Sequence, residues 1–301
     1  MSTELISARF ADLDLWPSQD AVQAMLEGQL AAVAAVQSQT SAIAAAADAA
    51  AGRLRGGRGR LIYAGAGTSG RLAVLDGVEL APTYDWGAER TGFALAGGMA
   101  ALTVSVEGAE DDATAGEAAI RALNPTAEDV VIGVAASGRT PYTVAAVRAG
   151  DAAGALTVGI ASNAGTPLLA AAAHPILLDT GAEVVAGSTR MKAGTAQKIA
   201  LNLLSSTIML RLGRVYRGLM VDMRLSNRKL RDRAVTMVSE ISGVSRPKAE
   251  AALERAGGRI KPAALVALGV DPAAAATILR DCGDDLRQAL ERFQADTGVE
   301  A

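Results

Sequence analysis

The chain has 301 residues, half of them hydrophobic but only 3% aromatic, and its formal net charge is −3. This length suits one large α/β domain with a smaller attachment, and the charge gives no indication of a nucleic-acid partner. The single cysteine, Cys282, excludes an intramolecular disulfide. The single histidine, His174, cannot build a His-rich metal site, so we expect no metal and interpret His174 as a loop or strand-edge residue.

The sequence gives no indication of a membrane partner. Its first residues, MSTELISARF, lack the basic stretch and long apolar segment of a signal peptide. The alanine-rich segments between residues 30 and 51 are interrupted by Gln, Ser, Thr and Asp, which is not typical of membrane spans. We therefore expect a soluble cytoplasmic protein.

Residues 1–57 are predicted to form an N-terminal helical segment. Ser18 follows Pro17 and is typical of the cap of a first helix. A second helix is expected over residues 40–54. Glycines then end the helical pattern, at Gly56, Gly57 and Gly59.

Residues 58–223 alternate between short apolar runs and helical stretches. The apolar runs predict strands over residues 61–64, 92–96, 130–135, 157–161 and 176–178. The stretches between and after them predict helices over residues 70–80, 114–123, 140–149, 167–173 and 191–212. This alternation is typical of an α/β fold, in which a parallel sheet carries helices on both faces.

Residues 224–301 are predicted to form a small helical domain, because strand signals stop near Arg224. Helices are expected over residues 227–242, 248–256, 262–267, 272–280 and 286–293. Ser245 and Asp271 are typical of helix caps, and Pro272 fits a first helical position. The fold class is thus α/β, with N-terminal helices before the sheet and a helical bundle after it.

Three predicted strands end in similar hydroxyl-rich turns that open a helix. The three segments read LIYAGAGTSGR, VIGVAASGRTP and TVGIASNAGTP. Ligands of open parallel sheets bind at the carboxyl ends of the strands. We therefore expect all three turns to face one crevice.

The first of these turns contains Gly65, Gly67 and Gly70 in the spacing G-x-G-x-x-G. A dinucleotide site also needs an acidic residue at the end of the second strand, to bind the ribose. The strand predicted over residues 92–96 ends instead in two glycines, and no GKS or GKT follows the first turn. We therefore expect neither a nicotinamide nor a nucleoside triphosphate.

The hydroxyl groups of the turns favour a phosphate monoester. Backbone N–H groups at a helix N-terminus attract anions, and serine or threonine hydroxyls add donors. The alternative is that these residues only cap helices. A further hydroxyl-bearing turn, Gly187–Arg190, precedes the helix predicted over residues 191–212. The residues at these turns that could bind phosphate are Thr68, Ser69, Ser137, Arg139, Thr140, Ser188 and Thr189.

Four segments resemble the bacterial N-acetylmuramic acid 6-phosphate etherases, which belong to the sugar isomerase (SIS) fold group. They read GAGTSGRLAVLDGVE, VEGAEDD, VAASGRTPY and AEVVAGSTRMKAGTAQK. The resemblance implies an SIS-type domain over residues 58–223. It also implies a lyase of cell-wall amino-sugar recycling that converts N-acetylmuramate 6-phosphate and water to N-acetylglucosamine 6-phosphate and D-lactate. Lactate is eliminated first and water is then added, with no metal and no nicotinamide.

The resemblance also implies roles for individual residues. The family's proton donor matches Glu79 in LDGVELAPT, and its second carboxylate matches Glu110 in VEGAEDD. The phosphate and sugar contacts fall on Thr68, Ser69, Ser137, Arg139 and Thr140, and Ser188, Thr189 and Lys192 are expected to line the same crevice. Glu183 is a further carboxylate near the site, and its participation stays open. Related SIS proteins often complete their sites across a dimer, so a homodimer is expected.

Two other functions stay open. Glucokinase regulatory proteins share this signature region and bind sugar phosphates without catalysis, although they usually carry two SIS modules in a longer chain. An SIS isomerase would also use a carboxylate base, but the long segment of residues 187–198 favours the etherase. Release of lactate separates the three functions.

Overall fold

A parallel five-stranded sheet organises the first of two units in the computed structural model, which describes residues 2–297. The spatial order of its strands is β2-β1-β3-β4-β5. The strands are β1 (Leu61–Gly65), β2 (Thr91–Leu95), β3 (Val130–Val134), β4 (Leu156–Ala161) and β5 (His174–Leu177). All four pairings are parallel. The structure thus confirms the α/β fold class, and each strand lies within three residues of its predicted range.

Helices precede, connect and follow these strands. They are α1 (Ser18–Gln37), α2 (Thr40–Leu54), α3 (Gly67–Tyr84), α4 (Ala113–Ala122), α5 (Pro141–Ala152), α6 (Pro167–Ala171) and α7 (Lys192–Arg211). Ser18 is the first residue of α1 rather than its cap, and Pro17 occupies the cap position. Within residues 2–297 no single helix is long and apolar enough to cross a membrane, and only two sharply bent helix pairs reach that length and composition together.

The sheet is buried on both faces, which explains its uninterrupted apolar strands. Every residue of β1, β3 and β4 is buried. Ile62 and Val131 belong to one core cluster. Their chain neighbours Tyr63 and Ile132 point to the opposite face, because side chains alternate along a strand, and they are buried as well.

Strand β5 forms one edge of this sheet. His174 is its first residue, as expected for a strand-edge position. The side-chain Oε1 of Gln39 accepts a hydrogen bond of 3.3 Å from the backbone N–H of Leu177. This contact satisfies one donor of the edge strand, which would otherwise be available for pairing with another strand.

The second unit comprises Glu79–Trp86 and the chain from Met209 onward. It contains a short hairpin, β6 (Val215–Tyr216) and β7 (Leu219–Met220), followed by helices around a single apolar core. The helices are α8 (Arg228–Ser242), α9 (Arg246–Arg255), α10 (Ile260–Ala267), α11 (Pro272–Asp281) and α12 (Leu286–Thr297). All five were expected, whereas the hairpin was not, because two residues per strand leave no periodic signal.

Helix caps in this unit follow the predicted pattern in part. Asn227 Oδ1 accepts from the N–H of Leu230 at 2.9 Å, and Asp271 Oδ1 accepts from that of Ala273 at 2.9 Å. Ser245 occupies the cap position of α9, but its side chain makes no capping hydrogen bond. The helices before the sheet belong to the sheet's own unit, so the division of the chain into segments 1–57, 58–223 and 224–301 stays a prediction.

Candidate active site

A cavity of about 360 Å³ opens at the carboxyl edge of the sheet, where β1 and β3 lie side by side. The chain leaves these two strands toward opposite sides of the sheet order, which makes this the switch point at which such sheets bind ligands. The residues that line the cavity are Glu4, Ala66, Gly67, Thr68, Ser69, Glu110, Asp111, Ala135, Ala136, Ser137, Arg139, Thr140, Pro141 and Thr189.

The glycine turn after β1 brings the first turn of α3 against the sheet. Gly67 has φ +51°, a conformation that favours glycine. Gly65 and Gly70 pack together so closely that a Cβ on Gly70 would lie 2.8 Å from the Gly65 carbonyl carbon. The spacing G-x-G-x-x-G therefore serves a tight strand-to-helix turn here. It places Thr68 and the buried Ser69 at the positive N-terminal end of α3, which favours an anion.

The turn after β3 supplies a second set of donors. Ser137 Oγ accepts a hydrogen bond of 3.1 Å from the backbone N–H of Arg139 and lies 3.4 Å from Thr140 Oγ1. The Arg139 side chain is exposed at the cavity and adds a positive charge. Two hydroxyls and a guanidinium at one helix start form a second group that suits a phosphate oxygen.

The loop before α4 carries the acidic side of the cavity. The carbonyl of Glu110 accepts a hydrogen bond of 3.1 Å from the N–H of Tyr142, which ties the loop to the first turn of α5. Asp112 caps α4 by accepting from the N–H of Ala115 at 2.8 Å. These two bonds fix the backbone on both sides of Asp111, and Glu110 and Asp111 both line the cavity.

The turn after β4 does not line the cavity, contrary to the expectation that all three turns face one crevice. Its Asn163 donates to the carbonyl of Ala136 at 3.0 Å. The carbonyl of Gly138 accepts from the N–H of Leu168, at the start of α6, at 3.0 Å. The turn after β4 therefore stabilises the turn after β3 through hydrogen bonds and does not present its own hydroxyls to the cavity.

The cavity includes most of the residues predicted to bind phosphate and sugar, but not all. Those in its lining are Thr68, Ser69, Glu110, Ser137, Arg139, Thr140 and Thr189. Ser188 is outside the lining, although its neighbour Thr189 is part of it. Lys192 is also outside the cavity lining. Its side chain is buried, and its Nζ donates a hydrogen bond of 2.8 Å to the carbonyl of Thr180.

Glu183 anchors the start of α7. Its fully buried carboxylate accepts from the backbone N–H of Lys192 at 3.0 Å and from that of Ala193 at 2.9 Å. A carboxylate in this position satisfies two N–H groups that lack a partner within the helix, and it matches the positive end of the helix dipole. The contacts of Glu183 therefore indicate a structural role.

Glu79 lies on α3 but outside the cavity lining. It follows Gly67 by twelve residues on this helix and belongs to the second unit. Its side chain is exposed. Within one chain, the predicted proton donor and the predicted phosphate contacts thus occupy different parts of the helix.

Asp76, one turn before Glu79, was not identified from the sequence. It is 5% exposed and accepts hydrogen bonds from Asn202 Nδ2 at 2.8 Å, Tyr63 Oη at 3.0 Å and Ser205 Oγ at 3.1 Å. Burial raises the pKa of Asp76, and these three hydrogen bonds oppose the rise. A carboxylate within the apolar stretch LAVLDGVEL was the available signal.

Glu4 and Asp111 are the two lining carboxylates that sequence reasoning did not select. Asp111 is one of several acidic residues in a row, so its pattern did not distinguish it. Glu4 lies in an N-terminal segment with no periodicity. Among residues 2–297, no group of three or more His, Cys, Asp or Glu side chains is arranged to hold a metal ion.

Two family models match the chain. The model of the glucokinase regulatory protein N-terminal SIS domain matches residues 42–151, and that of the SIS domain matches residues 111–206. The structure of a phosphoheptose isomerase from Francisella tularensis aligns with a TM-score of 0.48 at 18% identity, over 65% of this chain and 100% of that chain.

Curated relatives match over nearly the whole chain. An N-acetylmuramic acid 6-phosphate etherase of Deinococcus radiodurans is 51% identical over 97% of this chain and 96% of its own length. The proteins of the same name from Streptomyces coelicolor and Salmonella typhimurium are 47% and 45% identical, over 96% and 93% of this chain and 93% and 94% of their own lengths. Identity at this level over this length establishes the relationship, and the chain belongs to the N-acetylmuramic acid 6-phosphate etherase family.

Proposed function

We propose that this chain cleaves the D-lactyl ether of N-acetylmuramate 6-phosphate to give N-acetylglucosamine 6-phosphate and D-lactate. The observation that carries the proposal is the cavity at the switch point, where two helix starts bring hydroxyls and backbone N–H groups together. Such a site suits a phosphate monoester, and the relatives named above are etherases of a 6-phosphate sugar. The reaction belongs to amino-sugar recycling, and we place it in the cytoplasm.

The phosphate is proposed to bind between the first turn of α3 and the turn after β3. Ser69 and Ser137 each offer a hydroxyl beside a helix start, and Arg139 adds a charge. Charge-assisted hydrogen bonds of this kind are about twice as strong as those between neutral groups. Phosphate binding therefore fixes the sugar while its other end extends toward the acidic loop.

The chemistry is proposed to be an elimination followed by an addition. Opening of the sugar ring gives an aldehyde at C1, which acidifies the hydrogen on C2. A base takes this proton, the electrons of the C2–H bond form a C2–C3 double bond, and the C3–O bond breaks. The lactate oxygen takes a proton from an acid. Water then adds at C3, and C2 regains a proton.

Two carboxylates are proposed for these proton transfers. Glu110 lines the cavity on the acidic loop, a position that suits the base at C2 or a group that orients water. Glu79 is proposed as the acid for the lactate oxygen. Because Glu79 is exposed and lies outside the cavity lining, we propose that it acts on a cavity of a second copy.

Exposed apolar side chains support a homodimer. Leu75 and Val78, which precede Glu79 on α3, are 50% and 47% exposed. On α1, an apolar stripe at helical spacing is also at least half exposed: Val22, Leu26, Leu30 and Val33. Exposed apolar helix faces of this kind are typical of protein–protein interfaces. We propose that a second copy of the chain covers them.

Release of D-lactate from N-acetylmuramate 6-phosphate by the purified chain tests the proposed function. N-acetylmuramate without phosphate is the control substrate, and it should be turned over very poorly. The matched glucokinase regulatory protein domain favours a second candidate, a sugar-phosphate binder without catalysis. Tight binding of the 6-phosphate sugar without lactate would indicate that second function, and interconversion of sugar phosphates without lactate would indicate an isomerase.

A further inference from the structure

The N-terminal segment Ser2–Glu4 is held against the turn after β4, beside the cavity. Asn163 Oδ1 accepts from Ser2 Oγ at 3.1 Å, and Asn163 Nδ2 donates to Thr3 Oγ1 at 3.1 Å. The same Nδ2 group donates to the carbonyl of Ala136, which lines the cavity. Thr3 is fully buried. One asparagine thus connects the N-terminal segment to the turn after β3.

Glu4 extends from this held segment into the cavity lining. Its Oε1 accepts a hydrogen bond of 3.4 Å from Thr3 Oγ1. Its Oε2 lies close to Gly187, because a Cβ atom added to Gly187 would be 3.2 Å from this oxygen. The carboxylate is therefore positioned between the N-terminal segment and the loop that also contributes Thr189, although its side chain remains exposed to solvent.

The charge of Glu4 defines what it can contact. The first turn of α3 and the turn after β3 attract an anion, so a phosphate group would bind there. A carboxylate repels phosphate, and Glu4 can only stabilise a ligand group that donates a hydrogen bond. A sugar offers such neutral donors in its hydroxyl groups and its acetamido N–H.

We propose that Glu4 is a substrate-contacting residue whose carboxylate accepts hydrogen bonds from the neutral donors of the sugar. Thr3 and Asn163 are positioning residues that hold Glu4 at the cavity. The inference rests on the proposed function in one respect, because it assumes that the ligand is a sugar phosphate. It gives the cavity two halves, in which the helix starts bind phosphate and Glu4 recognises the sugar.

Two probes separate these halves. N-acetylglucosamine 6-phosphate engages both halves, whereas inorganic phosphate engages only the helix starts. Glu4→Gln keeps the size of the side chain and removes its charge. It should weaken binding of the sugar phosphate by about 10-fold or more, the loss expected for a hydrogen bond to a charged group. Affinity for inorganic phosphate should stay unchanged or increase, since a nearby negative charge is removed.

Calorimetric titration of the full chain with each probe measures this difference. Asp14→Asn is the matched control, because Asp14 is an exposed carboxylate of the same N-terminal region outside the cavity lining. If Glu4→Gln weakened binding of both probes equally, this would show a general loss of site structure and overturn the proposal. Affinities equal to those of Asp14→Asn for both probes would overturn it as well.

Thr3→Val tests the positioning role. Valine keeps the shape of Thr3 but removes the hydroxyl between Asn163 and Glu4, and it leaves the bond from Asn163 to Ala136 in place. Like Glu4→Gln, it should weaken binding of the sugar phosphate, but by a smaller factor. The affinity for inorganic phosphate should stay unchanged. If Thr3→Val changes the affinity for neither probe while Glu4→Gln weakens binding of the sugar phosphate, Thr3 has no positioning role.

Steady-state kinetics give a second readout. Loss of a contact that is made equally in the ground and transition states raises KM and leaves kcat unchanged. Glu4→Gln should therefore raise KM for lactate release by about 10-fold with kcat retained. If the wild-type chain releases no lactate, the proposed function fails, whereas the two binding titrations still test Glu4 by themselves.

Discussion

The first turn of α3 and the later segment Asp76–Glu79 of the same helix differ in the groups they carry. The first turn presents N–H groups and the hydroxyls of Thr68 and Ser69 to the cavity. Further along, the same helix carries two carboxylates, the buried Asp76 and the exposed Glu79. A helix favours negative charge within its first turn. The beginning of α3 thus suits anion binding, and its later part carries carboxyl groups that could transfer protons.

This difference separates binding from proton transfer. Changes in the first turn, and in the turn after β3 beside it, should act on substrate affinity. Changes at Glu79 should act on the chemical step. The predictions below test this separation, beginning with the largest expected effect.

Glu79→Ala is expected to have the largest effect. Loss of a general acid lowers a rate by about 10²–10⁴-fold, so lactate release should fall by this factor. The base at C2 needs no acid, so the variant should still exchange the C2 hydrogen of N-acetylglucosamine 6-phosphate with solvent deuterium. Proton NMR of the sugar in heavy water, beside a lactate assay, measures both steps.

Glu240→Ala provides the control for Glu79→Ala, because Glu240 is an exposed glutamate of the helix α8. It should leave lactate release unchanged. Normal lactate release by Glu79→Ala would exclude Glu79 as the acid. Loss of exchange together with lactate release would instead indicate a dual role or a damaged site.

A mixture of two impaired variants, assayed at a substrate concentration far below the KM of the cavity variant, tests whether Glu79 serves a second copy. One variant carries Glu79→Ala, and the other carries Ser69→Ala and Ser137→Ala in its cavity. Random pairing gives half mixed dimers, each with one intact site, so activity should return to about a quarter of the wild-type value. Without recovery in verified mixed dimers, Glu79 acts on the cavity of its own chain.

Ser137→Ala should have an intermediate effect that is confined to binding. Removal of a hydrogen bond to a charged group costs about 1–3 kcal/mol, which raises KM by about 5- to 150-fold. Ser188→Ala is the matched control, since Ser188 is also predicted from the sequence but lies outside the cavity lining. Kinetic constants with N-acetylmuramate 6-phosphate measure both. Equal effects of the two variants would favour the sequence prediction over the cavity.

Local patterns in the sequence were enough to predict the sheet and the first two turns. The strands β1, β3 and β4 are short apolar runs between turn signals, and the residues that follow β1 and β3 line the cavity. Their position follows directly from the strand order of a parallel sheet. For these elements, neighbours in sequence are also neighbours in space.

The remaining features depend on contacts between distant residues. Asn163 and Thr3 are 160 residues apart, and no periodicity in the sequence relates them. The hydrogen bond that occupies Lys192 depends on a loop twelve residues earlier. The network of Asp76 joins three elements, of which α7 lies more than 120 residues further along the chain. Such pairings become visible only when the sheet brings the elements together.

Asp76→Asn should have the smallest effect, and its sign depends on pH. The folded pKa of Asp76 is raised chiefly by burial, so the folded state binds more protons than the unfolded state just above the ordinary carboxyl range. The stability of the wild-type chain therefore decreases as pH rises through that range. Asparagine does not titrate. Its Oδ1 can accept from Asn202 and Ser205, and its Nδ2 can donate to Tyr63.

The free energy of unfolding of Asp76→Asn should thus increase relative to that of the wild-type chain as pH rises through the acid range. Urea unfolding of both proteins at several pH values measures this difference, and subtraction removes the other titrating groups. Asp14→Asn, in which an exposed carboxylate is neutralised, should show no such trend. A difference that is constant with pH would show that Asp76 titrates alike in the folded and unfolded states. A difference of the opposite sign would show that its three hydrogen bonds outweigh burial, and that this part of α3 stabilises the carboxylate rather than the carboxylic acid.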